Sequence, residues 1–170
     1  LPGENGAPIN DLILDQYEVV YGAWPNSYDE VVLVVDKNNE LDDLTLYALG
    51  LLSKSHIDSI IDAAATGNEL PEDDKKWSYD EIHGMTFKTI LPYDCYKEFS
   101  GVYVDVTDNE SMLQMLYENA LELKVVGIIR PKEDTEASSF TGKIGYTHLL
   151  TEYIIEKAKD SPVVKAQLTD

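Results

Sequence analysis

A mixed α+β fold is predicted for this chain, on three observations. Residues 28–52, YDEVVLVVDKNNELDDLTLYALGLL, read as strand, turn and helix in immediate succession. Residues 121–129, LELKVVGII, carry a second strong strand pattern far downstream. Helical and strand patterns interleave around these two, yet strong strands are too few for a doubly wound sheet. Strands and helices in one compact module are therefore expected.

In chain order, residues 1–16 carry Pro2, Gly3, Gly6 and Pro8 and read as a flexible lead-in. One α+β domain is expected over 17–170, with an acidic surface loop at about 66–80. A short strand is expected over 15–21, DQYEVVY, followed by a turn at 22–26 that carries Trp24. Trp24 is expected to plug the core edge beside Tyr17 and Tyr28. Residues 31–35 are β-branched and leucine throughout, of strand length. Asp36, Lys37, Asn38 and Asn39 are turn formers. The helix that follows is expected to be capped by Asp42 or Asp43, with Leu44, Leu46, Tyr47, Leu49 and Leu51 as its apolar surface.

Ser55 is expected to cap a second helix running to about Ala65, with Ile57, Ile60 and Ile61 on one side and Gly67 as its stop. Trp77 and Tyr79 are expected to anchor the 66–80 loop, and Asp80 to cap a turn ending at Gly84. Strands are expected at 85–91 and 102–106, then a helix over 110–119 capped by Asp108 or Asn109. Its packed side is Met112, Leu113, Met115 and Leu116. Arg130 and Pro131 end the strong strand, and 132–145 read as a polar loop. Thr147 opens the last helix, packed through Leu149, Leu150, Tyr153, Ile154 and Ala158, and Pro162 ends it. Residues 163–168, VVKAQL, are expected to form a final strand.

Bulk properties narrow the partners. With 32 acidic and 13 basic residues the formal charge is −19. That works against a phosphate backbone and against an anionic membrane surface, both of which need clustered Lys and Arg. No nucleic-acid partner is expected. Cys95 is alone, so an intrachain disulfide is impossible, and a partly buried thiol is expected there. No stretch approaches the roughly 20 apolar residues of a membrane span. The start, Leu1-Pro2-Gly3, has neither an initiator Met nor a basic-then-apolar leader, and reads as an excised fragment.

The chemical motifs are weak. Asp36, Asn38 and Glu40 alternate as in the first half of an EF-hand loop and are the candidate metal ligands. The pattern then breaks: position six is Leu41 where glycine is needed, and position twelve is Tyr47 where a bidentate Glu is needed. The same oxygens equally form a side-chain-to-backbone turn and a helix cap. Glu69, Glu72, Asp73 and Asp74 read as solvated charge. His56, His83 and His148 have no HExxH or zinc-finger spacing. Thr141, Gly142, Lys143 and Gly145 lack the spacing of a phosphate-cradling loop, and no GxSxG elbow occurs. No catalytic residue and no cofactor is expected. The eleven tyrosines and two tryptophans leave a glycan or peptide groove open, although most should pack the core.

A resemblance sharpens this. YDEVVLV at 28–34, LTLYALGL at 44–51, GMTFK at 84–88 before Leu91-Pro92, LKVVGIIRP at 123–131, IGYT at 144–147 with LTEYI at 150–154, and VKAQL at 164–168 stand in order. This set is similar to the extracytoplasmic domain of MacB/FtsX-like ABC transporter permeases of Gram-positive gut-type bacteria. It covers most of 17–168 and is weakest over 66–80.

The resemblance implies a non-catalytic extracellular α+β domain of a cell-membrane protein, including the case of an inserted subdomain of the larger MacB-like core domain. It implies flanking permease membrane helices and a cytoplasmic ATP-binding subunit or domain as partners. An extracellular protein or peptide would engage the loops at 66–80 and 132–145. The domain would couple membrane-helix motion to engagement of substrate or partner in export. The alternative is a secreted module binding glycans or peptides through Trp24, Trp77 and the tyrosines. A metal-dependent hydrolase built on Asp36 is a distant third.

Overall fold

The computed structural model describes residues 3, 6–68, 76–133, 135 and 143–169. Two strands organise it. Strand β2 (Glu30–Val34) is the β-branched run, and β6 (Leu121–Pro131) is the second strong run. They pair in parallel, Glu30 with Lys124 through Val34 with Ile129. On its other side β6 pairs antiparallel with two strands placed end to end. Its first half meets β3 (Thr86–Thr89) and its second half meets β1 (Tyr17–Gly22). Strand β7 (Ile144–Tyr146) adds antiparallel to the far edge of β2. A separate hairpin, β4 (Tyr96–Phe99) and β5 (Val102–Asp105), turns at Ser100 and Gly101 with positive φ at both.

A strand's side chains alternate between faces, so β2 feeds two cores at once. Val31, Leu33 and Val35 join Leu123, Val125 and Ile128 on one face, under Leu49, Ile82 and Leu150. Val32 and Val34 join Ile129, Tyr17 and Ile13 on the other, with Trp24 packed against them. An unbroken apolar run is what a strand buried on both faces requires. In β6 the parity slips. Val31 faces Val125 but Val32 faces Gly127, so Val126 is an extra residue, a β-bulge. The slip returns Ile128 to the face of Val125.

The bulge brings another segment close. The Ala23 amide donates to the Val126 carbonyl at 2.9 Å, and the Ala23 carbonyl lies against the Cα of Gly127. A Cβ on Gly127 would overlap that backbone oxygen, so only glycine fits.

The helices follow their caps. Helix α1 (Asp11–Gln16) is capped by Asn10 and buries Ile13, so the glycine- and proline-bearing lead-in ends in a packed helix. Helix α2 (Asp43–Ala48) is capped by Asp42, one of the two expected residues. Its buried positions are Thr45 and, just past its end, Leu49; the expected apolar Leu44 and Tyr47 are exposed. Helix α3 (Lys54–Thr66) is capped by Ser53 rather than Ser55, because the chain is extended at Ser53, where a cap belongs. It stops at Gly67 in the left-handed conformation; Ile57 is buried and Ile61 is exposed. Helix α4 (Tyr79–Ile82) has a capping box between Ser78 and Glu81. Asp80, expected to be the cap, instead accepts a hydrogen bond from the Tyr21 hydroxyl. Helix α5 (Glu110–Glu118) is capped by Asn109 and buries Leu116, while Leu113 and Met115 are exposed.

Helix α6 (His148–Asp160) starts after Thr147 as expected, although the Thr147 hydroxyl makes no cap bond. Helix α7 (Pro162–Thr169) occupies the segment expected to be a final strand. Proline at the first helical position is pre-set for a helix, and the Lys165 amide donates to the Ser161 carbonyl at 3.0 Å. The polar segment after β6 also differs from expectation. Strand β6 runs on through Arg130 to Pro131, and β7 takes Ile144 and Gly145 from the end of the segment expected to be a loop.

Gly127→Ala is expected to lower unfolding stability by about 2–3 kcal/mol, the scale of backbone-shifting overpacking. Urea unfolding checks this, with Ala64→Gly on α3 as a propensity-only control expected near 1 kcal/mol.

Candidate functional site

The candidate metal ligands Asp36, Asn38 and Glu40 form a closed turn. Asp36 Oδ1 accepts from the amides of Asn38 and Glu40, each at 2.8 Å, and the Asp36 amide donates to the Glu40 carbonyl at 3.1 Å. Asn39 takes a positive φ of 65° and its Oδ1 accepts from Arg130 Nη1 at 3.0 Å. Arg130 also pairs with Glu18 at 2.6 Å. The carboxylate thus serves the backbone, and the turn is tied to β1 and β6. Among the described residues no group of three or more His, Cys, Asp or Glu is placed to hold a metal ion. Glu69, Glu72, Asp73, Asp74, Thr141 and Gly142 lie outside the described residues. Lys143 offers its carbonyl to the Val34 amide at 2.7 Å, a sheet bond.

The histidines serve three different places. The His56 amide donates to Ser53 in the first turn of α3. His83 meets the Tyr21 ring edge-on, centroids 5.4 Å apart. His148 Nε2 lies 3.8 Å from Glu152, while its Nδ1 is buried without a hydrogen-bond partner. Trp24 and Trp77 pack against different core clusters, on opposite faces of the main sheet, and so make no shared groove. Tyr28 stacks on Tyr153 at 4.1 Å instead of joining Trp24.

The structure does assemble an aromatic cleft of about 670 Å³ elsewhere, within the range usual for ligand sites. Its parts come from four elements. Pro92 opens a 3-10 turn over Pro92–Cys95, which sets Tyr93 and Asp94 at one end. In the hairpin register Glu98 lies opposite Tyr103, so with Tyr96 they share one face, which lines the cleft. On α6, Tyr153, Lys157 and Asp160 stand at helical spacing of four and three and form the other wall. The start of β6, at Leu121 and Glu122, closes the floor.

Its electrostatics are acidic and partly desolvated. Burial pushes the Asp94 carboxyl up, and nearby Lys97 opposes the shift. Burial also raises Tyr93, helped by the charges of Asp94 and Tyr153, and the Tyr93 hydroxyl is buried without a hydrogen-bond partner. Cys95 is half-buried as expected; burial and then Asp105 and Asp94 raise its thiol, which makes it a poor nucleophile. Lys157 Nζ lies 5.6 Å from the Tyr153 ring centroid. Tyr-Asp-Cys-Tyr-Lys-Glu at 93–98 was a local signal for this wall, but nothing in sequence joins it to α6.

No family model, no curated protein and no solved structure matches the chain.

Asp36→Ala is expected to cost about 1–2 kcal/mol, the worth of two backbone hydrogen bonds. Urea unfolding should show the same loss in calcium and in EDTA. A loss confined to calcium would assign the turn to a metal.

Proposed function

We propose that this chain is a non-catalytic extracellular domain of a MacB/FtsX-like ABC transporter permease. In this reading it couples movement of flanking membrane helices, driven by a cytoplasmic ATP-binding subunit, to engagement of a substrate or partner during export. One observation carries the reading. Three stretches of the family-like pattern, at 28–34, 123–131 and 144–154, the first far from the other two in sequence, are adjacent in space. They are β2, β6, and β7 with α6, and Leu33, Val125, Ile128 and Leu150 from them meet in one core. An ordered set of motifs that packs as one unit is what a shared scaffold would produce. The resemblance supplies the permease and the membrane.

The structure shows no described helix long and apolar enough to cross a membrane, so in this reading the spans lie in other segments of the parent protein. The loops at 66–80 and 132–145, suggested as the contact surface, lie partly outside the described residues, at 69–75, 134 and 136–142. The second reading, a secreted binding module for glycans or peptides, is favoured by the tyrosine cleft and not by the tryptophans.

The test is topological. In the full-length parent protein, Cys95→Ser removes the chain's thiol and Asp62→Cys places one on the exposed side of α3. A membrane-impermeant maleimide is expected to label Cys-bearing protein retained in the membrane fraction of intact cells. Labelling only after lysis, or release of the labelled protein into the medium, would remove the permease reading.

A further inference from the structure

We propose that the cleft between the β4–β5 hairpin and helix α6 binds a lysine- or arginine-bearing stretch of polypeptide. This stands on the cleft and holds whether or not the domain belongs to a permease. The first ground is the pairing of rings with carboxylates. Tyr96 and Tyr103 line the cleft on the same hairpin face as Glu98. Glu98 and Glu122 have no ion-pair partner among the described residues, unlike Asp160, which holds Lys165 at 3.1 Å. A guanidinium or ammonium set against a tyrosine ring and a carboxylate is attracted by both.

The second ground is precedent within the cleft. Lys157 already lies over Tyr153, so these walls accept a cation on an aromatic face. Lys157 and Lys97 do not cancel the site: with Asp160 held by Lys165, three further carboxylates, Asp94, Glu98 and Glu122, line it against these two lysines. The third ground is the long-range field. A chain of formal charge −19 draws basic ligands toward its surface and repels anionic ones. A neutral sugar would gain stacking on the tyrosines and hydroxyl hydrogen bonds to the carboxylates, but no charge pairing and nothing from the field. Size agrees, since about 670 Å³ open on one side admits a few residues of extended peptide.

Any strongly acidic protein attracts polycations, so the test compares sites at equal charge. The probes are tetra-arginine and chitotriose, titrated calorimetrically into the full chain. Glu98→Gln with Glu122→Gln is expected to weaken tetra-arginine about tenfold or more, since two charge-assisted contacts are lost. Asp58→Asn with Asp62→Asn, which changes the net charge equally on the remote helix α3, should weaken it less than about threefold. Tyr103→Phe should keep the affinity within about twofold and Tyr103→Leu lower it by about threefold or more.

Chemical-shift mapping on the unaltered chain should place the largest changes at Tyr96, Glu98, Tyr103 and Tyr153, which covers the case of a variant that fails to fold. Equal weakening by the two double variants, or shifts spread over α3, would overturn the proposal. So would absence of tetra-arginine binding, or binding of chitotriose in its place.

Discussion

The backbone of β6 is the constraint on which the rest of the structure depends. It pairs with β2 along one side and with β3 and β1 in succession along the other. A strand so enclosed has nearly all its polar backbone groups committed, so the segments around it must arrive in register. The bulge at Val126 shifts the register of β6 against β2, so that Val125 and Ile128 share a core, and a second shift between Val19 and Tyr21 fits β1 to the second half of β6. The turn after β1 is then locked by the close seating of Ala23 on Gly127.

Around this sheet the abundant acid has local duties. Asp42 caps α2, Asp36 folds the turn after β2, and Glu81 completes the capping box of α4. Each carboxylate accepts backbone amides that would otherwise lack a partner at a helix start or turn. The bonds to Ser78 hold the Glu81 carboxyl below the usual range. The acids around the cleft differ. Among the described residues Glu98 and Glu122 have no such duty, and Asp94 is partly desolvated. The hairpin that carries Glu98 stands apart from the main sheet, and that separation leaves the cleft open beside α6 and α7.

Much of the scaffold was legible beforehand. The apolar run at 31–35 marked a strand by its length and β-branching, and Gly67 and the pairs Asp42/Asp43 and Asp108/Asn109 marked helix ends through chemistry that acts within a few residues. Ser53 and Ser55 are equally good capping residues, however, and only the backbone decides between them. VVKAQL has strand propensity, but Ser161 and Pro162 start a helix there, and the segment packs beside α6. β-propensity reflects fit to a paired neighbouring strand, so it fails where the segment pairs with none. The exposure of Leu44 and Ile61 has the same origin: helical spacing defines a stripe, and the neighbours decide which stripe is covered.

The sequence by itself determined the α+β class, the two central strands, the acidic surface and the half-buried solitary thiol. These follow from composition, from short-range periodicity and from groups that interact with their own neighbours in the chain. Only the tertiary structure decided that Trp24 and Trp77 lie on opposite faces, that Asp36 serves its own turn, and that tyrosines at 93–103 meet Tyr153 across a cleft. Those contacts join residues tens of positions apart, and their geometry depends on a one-residue bulge and on the docking of a hairpin. No local pattern encodes where such distant parts come to rest.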